Sequence, residues 1–200
     1  MVATNLLGRM GYEGKEGVDS LIYEVKDKDE QLAEQLTRAI YASLIEDVEN
    51  LYERMNNIQA DLETLLQRRC DLIADYVEIL KRYVPHQRDV LNQITKAQSK
   101  IVAAKTISEK IEANTDSVIT EDNLWDVIKK YPKLKNDPDL MRIFDHLAGI
   151  RIRILVDVQG YNDRVPEYNK KIEKIPLPEI FNFRPAVLFK TKGIKGLRSE

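Results

Sequence analysis

Two tyrosine–asparagine pairs, Tyr161-Asn162 and Tyr168-Asn169, repeat at an interval of seven residues. Seven residues are two helical turns, so both asparagines share one helix face, as do both tyrosines. A carboxamide donates and accepts at once, so such a face could form a polar groove that grips the backbone of a ligand or partner. The competing reading is hydrogen bonding between helices that fixes their register, a known use of asparagine in apolar seams, and it is favoured. Arg69 and Arg151 each interrupt a seam that is otherwise apolar. A buried arginine needs an acid or carbonyls, because an uncompensated charge in a core costs on the order of several kcal/mol. Asp71, Asp75, Asp145 and Asp157 are the available acids. Register-setting, or a stem laid on apolar surface with its head in water, is favoured over an anion site.

Other reactive groups lack the spacing that chemistry requires. His86 and His146 are the only histidines, and neither belongs to a Glu-x-x-His or His-x-x-x-His pair. With Cys70 as the one cysteine, no intrachain disulfide and no recognisable metal-ligand set is expected. Gly8, Gly11, Gly14 and Gly17 recur every third residue, but without the Gly-Lys-Ser/Thr ending of a phosphate loop. No nucleophile elbow or triad order is present. The expectation is a protein without catalytic residues, metal or cofactor.

The elements that must position these residues are helices. From Val18 to Val84 there is neither glycine nor proline. Within that stretch Leu44, Val48, Leu51, Met55, Ile58, Leu62, Leu65, Arg69, Leu72, Tyr76, Ile79 and Tyr83 step alternately by four and three. That pattern marks helices packed side by side. At 1.5 Å per residue, sixty-odd helical residues would span roughly 100 Å. A second seam runs Val90, Ile94, Ala97, Ile101, Ala104, Ser108, Ile111. Asn114–Thr120 reads as a polar turn, followed by a short helix from Glu121 to Tyr131 with Thr120 as its cap. Trp125 on that helix is a candidate docking residue, with packing against the end of the bundle as the plainer reading. Asp137-Pro138 is a start signal, a capping aspartate before proline at the first helical position. A third seam then runs Leu140, Phe144, Leu147, Arg151, Ile154, Val158, Tyr161, Val165, Tyr168, Ile172, Ile175, with Pro166 inside it as an expected kink. After it, prolines space out Ile180, Phe181, Phe183, Val187, Leu188 and Phe189, too apolar for a free tail and predicted to lie along the bundle as an extended strap.

The predicted fold is therefore all-α: an elongated antiparallel helical bundle with long heptad-patterned helices and an extended C-terminal strap. Its expected parts are a flexible glycine-rich tail (1–18), a bundle domain (19–189) and a basic, disordered tail (190–200). The bundle domain divides into an acidic N-terminal extension (20–48), the bundle proper (49–175) and the aromatic strap (176–189). Net charge is −2, with 14 acids and 6 bases in residues 1–64 against 19 acids and 25 bases in residues 65–200. That balance excludes a chain built overall to neutralise nucleic-acid phosphates. No apolar run approaches the ~20 residues of a membrane-spanning helix.

Two stretches together resemble the LemA family of bacterial proteins. One is Arg68-Arg69-Cys70-Asp71-Leu72-Ile73, continuing to Val77, Tyr83 and His86. The other is Tyr131-Pro132-Lys133-Leu134-Lys135, Leu147, Gly149, the Tyr161-Asn162 and Tyr168-Asn169 repeat, Pro176 and Phe181-x-Phe183. The resemblance covers roughly residues 44–189 and implies an antiparallel helical bundle. It makes Arg68, Arg69, Asp71, Leu72, Ile73, Tyr161, Asn162, Tyr168 and Asn169 signature positions of structural or interaction use. Family members usually carry one membrane-spanning helix before the first bundle helix, and the family is associated with bacterial membranes. Here Asp27-Lys28-Asp29-Glu30-Gln31, Glu34 and Arg38 fill that place, and such charges cannot sit in hydrocarbon. The family's Pro-Asn after Asp-Leu-Ile is Ala74-Asp75, and its Glu-Asn pair is Arg151-Ile152. The chain looks like a soluble branch, expected in the cytoplasm, with the inner face of the membrane as the alternative site.

What this implies is a non-enzymatic scaffold or interaction protein. Leu32, Leu36, Ala39, Ile40 and Ser43 form a modest apolar stripe on the acidic extension, expected to pair between subunits or dock a protein partner. The alternative is a peripheral adaptor whose Lys190, Lys192, Lys195 and Arg198 reach an anionic membrane surface. No nucleic-acid partner is expected.

Overall fold

The computed structural model describes residues 14–83, 88–129 and 131–191. Among them the chain forms seven α-helices, one 3₁₀ turn and no strand, an all-α helical bundle. The helices are α1 (Gly14–Lys26), α2 (Glu30–Ile40), α3 (Ala42–Tyr83), α4 (Arg88–Ala103), α5 (Ile107–Ile128), α6 (Pro132–Lys135) and α7 (Pro138–Ile172), and the 3₁₀ turn is Pro178–Phe181. By contacts the chain divides into two compact units. One is Met1–Met55 with Asp163–Val187; the other is Asn56–Asn162 with Leu188–Glu200.

In the first unit, α1 begins at Gly14, inside the segment expected to be a flexible tail, because Val18 and Ile22 are buried one turn apart. The helix breaks between Lys26 and Glu30. Asp29 adopts an extended conformation and accepts from the Leu32 N–H at 3.0 Å, an N-cap that satisfies one orphan donor of α2. A second break falls at Tyr41, which the helical pattern did not announce. Its N–H closes on the Thr37 carbonyl at 2.8 Å, and its hydroxyl donates to the Asp19 carboxylate of α1. Burial, then that bond, push the Tyr41 hydroxyl well above its ordinary pKa. Val18, Ile22, Ala33 and Leu177 form a shared core, with Val25, Tyr41 and Ile180 against it. The region read as one long helix is thus α1 packed against α2, followed by α3.

In the second unit the core gathers Ile73, Tyr76, Val77 and Leu80 of α3 with Leu91 and Ile94 of α4. Ile128, Leu134, Leu140, Ile143 and Leu147 complete it from α5, α6 and α7. The α3 seam is rotated slightly from the predicted one. Val48, Met55, Leu62, Arg69 and Tyr76 lie at its centre, while Leu51, Ile58, Leu65, Leu72 and Ile79 are half-buried edges. Ile45, Leu66, Ile73 and Leu80 are buried in addition, so the apolar face is broader than a two-position heptad stripe.

The polar turn predicted at Asn114–Thr120, and the Thr120 cap, are corrected: those residues lie inside α5. Asn114 and Thr115 are buried, and the Thr115 hydroxyl donates to the Ile111 carbonyl at 3.1 Å. The break comes earlier, before Ile107. There the Thr106 hydroxyl accepts from the Glu109 N–H at 3.2 Å, and the Glu109 carboxylate accepts from the N–H groups of Lys105 and Thr106 at 2.8 and 3.1 Å. This is a capping box, satisfying donors that the helix start leaves open. The same bonds hold the Glu109 carboxyl below its usual range. The Asp137 start signal works as read. Its carboxylate accepts from the N–H groups of Asp139 and Leu140, both at 3.0 Å, and from the Tyr83 hydroxyl at 2.7 Å. Helix α7 continues through Pro166 to Ile172.

Candidate functional site

Asn162 and Asn169 do not join helices; each clamps the strap. Within the second unit, the Asn162 amide nitrogen donates to the Phe189 carbonyl at 3.0 Å while its oxygen accepts from the Phe189 N–H at 2.8 Å. Within the first unit, Asn169 does the same to Ala186, at 3.0 and 2.8 Å. Because each side chain meets one N–H and one C=O of a single residue, the orientation of each carboxamide is fixed by its partners. The backbone held is the chain's own strap, which is neither a neighbouring helix, as the favoured reading expected, nor a ligand or partner.

The interval of seven follows from chain geometry. Seven helical residues advance roughly 10 Å, and three extended residues advance about the same. Burial on the strap follows that period of three: Phe183 and Phe189 are buried and Ala186 is half-buried, whereas Arg184, Pro185, Val187 and Leu188 face solvent. Val187 is 76% exposed, so two of the apolar residues read as part of the strap, Val187 and Leu188, face solvent.

Tyr161 adds an apolar contact beside the Asn162 clamp, whereas Tyr168 packs toward α3. Tyr161 is buried, and its ring stacks on Phe189 with centroids 4.2 Å apart. Tyr168 is fully buried and lies 6.1 Å from the Tyr52 ring. The strap's entry is set by the 3₁₀ turn, with Leu177 and Asn182 in left-handed conformation on either side of it. Phe181 stacks on Phe183 at 5.7 Å, and Arg38 lies over the Phe181 ring at 5.1 Å. Lys26 pairs with Glu179 at 2.9 Å, which holds the Glu179 carboxyl low.

The other signature residues are dispersed over one helix. Arg69 is fully buried and Ile73 nearly so; Leu72 is half-buried. Arg68 and Asp71 are exposed, Asp71 accepting from Gln67 at 2.9 Å. Arg151 is half-buried, so the two interrupting arginines differ in kind. Cys70 is buried beside a small cleft of about 90 Å³ lined by Glu63, Gln67, Ile101 and Lys110. Burial raises its thiol pKa, which makes it a poor nucleophile. His146 is exposed, and His86 lies outside the described residues. Trp125 falls within α5, and its side chain lies outside the described set, as do Lys192, Lys195 and Arg198 of the tail. Among the described residues, no group of three or more His, Cys, Asp or Glu is placed to hold a metal. None of the described helices is long and apolar enough to cross a membrane.

The family model described as LemA family matches residues 58–197. The chain belongs to the LemA family. No curated protein matches the chain significantly. The LemA match takes in Arg69, both clamps and the strap, and leaves α1, α2 and the start of α3 outside it. What sequence reasoning missed at this site is Ala186. The available signal was the three-residue spacing of Phe183, Ala186 and Phe189 beside asparagines seven apart.

Proposed function

We propose that this LemA family chain acts by binding rather than catalysis, as a helical scaffold or interaction protein that self-associates through the outer face of α2. The observation that carries this reading is the stripe Leu32, Leu36 and Ile40. Its residues stand one turn apart, with Leu32 45% exposed, Ile40 36% exposed and Leu36 half-buried. The adjoining face of α2, at Ala33 and Thr37, is already fully buried, so the core shared with α1 covers that flank and leaves the Leu32 edge of the stripe open. Branched and aliphatic side chains held at helical spacing on a fixed helix are what a partner helix can cover. The segment lies outside the family match, where family members usually enter the membrane, so a binding face there replaces an anchor in this reading.

The test is Leu32→Glu with Ile40→Glu in the full chain. Light scattering should show the unaltered protein heavier than one 23.2 kDa chain and the variant at single-chain mass, with the same helical circular dichroism. Equal masses for the two proteins would remove α2 as the contact.

A further inference from the structure

We infer that the outer face of α7 around Gly149 is a second, weaker contact between copies of this chain: two α7 helices cross antiparallel at Gly149, and Asp145 of each copy meets Arg153 of the other. No residue of α2 takes part, so the contact stands apart from the association proposed above. Every residue it uses lies within Asn56–Asn162, in one compact unit. Leu147, Ile150 and Ile154 turn one side of α7 into the core. Gly149 stands near the middle of the other side, exposed. Arg142, Asp145, Ile152, Arg153 and Val156 fall within about 60° of it around the helix, and all five are exposed too. Ile152 is 41% and Val156 62% exposed, so the single chain leaves two branched apolar side chains uncovered there.

Glycine is the poorest helix former after proline, and packing within the chain gives no reason for one here: a Cβ added at Gly149 would meet nothing within 4 Å. A second backbone passing close by is a reason. The charges then choose the partner and its direction. Asp145 and Arg153 stand four residues before and after the glycine, and among the described residues neither closes an ion pair. A two-fold axis at Gly149 that runs the helices antiparallel brings each Asp145 to the level of the other copy's Arg153, so one sequence makes two opposite-charge pairs. Parallel helices would set Asp145 against Asp145 and Arg153 against Arg153. In the antiparallel crossing, Ile152 of each copy rests on Gly149 of the other, where no side chain obstructs it. Val156 meets the aliphatic stem of the other copy's Arg142, whose guanidinium is held aside by Asp139 at 3.1 Å. One helix crossing covers less than the ~1,200 Å² at which stable interfaces begin, so the pair forms at submillimolar rather than micromolar concentration.

The test uses full-length chain carrying Leu32→Glu and Ile40→Glu, which silences the α2 contact, in sedimentation equilibrium at submillimolar concentration. This background chain should show a reversible two-chain species. Adding Gly149→Gln should weaken that species by roughly tenfold or more, since a side chain now fills the crossing. Helical circular dichroism should be unchanged and the thermal midpoint no lower, because the same side chain has open space in the single chain. Two charge variants then read the direction. Asp145→Arg alone and Arg153→Asp alone should each sediment as single chains. Mixed one to one, with a different dye on each, they should co-sediment, since every opposite-charge pair is restored in the mixed species. The inference is overturned by a background chain that stays single or by a two-chain species indifferent to Gly149→Gln. Charge variants that keep their helical spectra yet fail to co-sediment overturn it as well. Failure of the α2 reading shows elsewhere, as equal micromolar masses with and without Leu32→Glu and Ile40→Glu.

Discussion

Replacing Asn169 by alanine removes both hydrogen bonds to Ala186, those of 3.0 and 2.8 Å, while leaving the Asn162 clamp untouched. A net contribution of about 1 kcal/mol per neutral hydrogen bond gives an upper value of roughly 2 kcal/mol. The clamp is only partly buried, so water recovers some of it, and about 1–2 kcal/mol is the working figure. That corresponds to a factor of roughly 5–30 in local opening. Hydrogen exchange at the Ala186 amide reads it directly: protection should fall by that factor in Asn169→Ala. The Phe189 amide should keep its protection, since Asn162 still holds it. Asn169→Asp is the sharper variant. It keeps an acceptor for the Ala186 N–H but sets a charged oxygen where a donor faced the Ala186 carbonyl. At neutral pH it should protect no better than alanine. Its protonated form regains a donor, so the folded-state pKa of the new carboxyl is raised and the clamp tightens as pH falls through it. Unchanged protection at Ala186 in the alanine variant, or full protection in the aspartate variant at neutral pH, would refute the clamp.

Three further outcomes follow from particular contacts. Thr106→Ala removes the N-cap of α5 and should lower stability by about 1 kcal/mol in urea melts. Arg69→Ala at a fully buried position should cost at least 2 kcal/mol, in the range of large-to-small core changes, whereas Arg68→Ala, exposed on the same helix, should fall within about 0.5 kcal/mol of the parent. Asp157 has its pKa raised by burial and then by Asp61. The ionised form is therefore disfavoured in the fold, so Asp157→Asn should stabilise at neutral pH. The gain should fade as pH falls below the raised value toward the unfolded one, and a gain that persists at acid pH would contradict that cause.

Much of this architecture was legible because burial imposes a period on a helix. The α7 seam from Leu140 to Ile172 reads directly onto buried positions, Phe144 and Arg151 being half-buried. Breaks were harder to read. The apolar spacing runs on through Ile101, Ala104, Ser108 and Ile111 as though one helix carried it, yet the Thr106–Glu109 box divides it. Here the local signature, Thr-x-x-Glu, outweighs the periodicity. At Asn114–Thr120 the error was the reverse: polar composition suggested a turn, but no proline or glycine stands there to stop a helix, and packing buries Asn114 and Thr115. The N-terminal stripe was visible, but that α1 would cover one side of α2 depends on the cap at Asp29 and on Tyr41 reaching Asp19. The asparagine repeat announced a polar device without naming its partner, because the groups it holds lie 17 and 27 residues away in sequence.

The central claim, that this LemA family protein works by association through the open face of α2, is tested most directly by sedimentation velocity of the full-length chain across the micromolar range. The account predicts a reversible, concentration-dependent rise above the 23.2 kDa of one chain. A single-chain species at every concentration would contradict it.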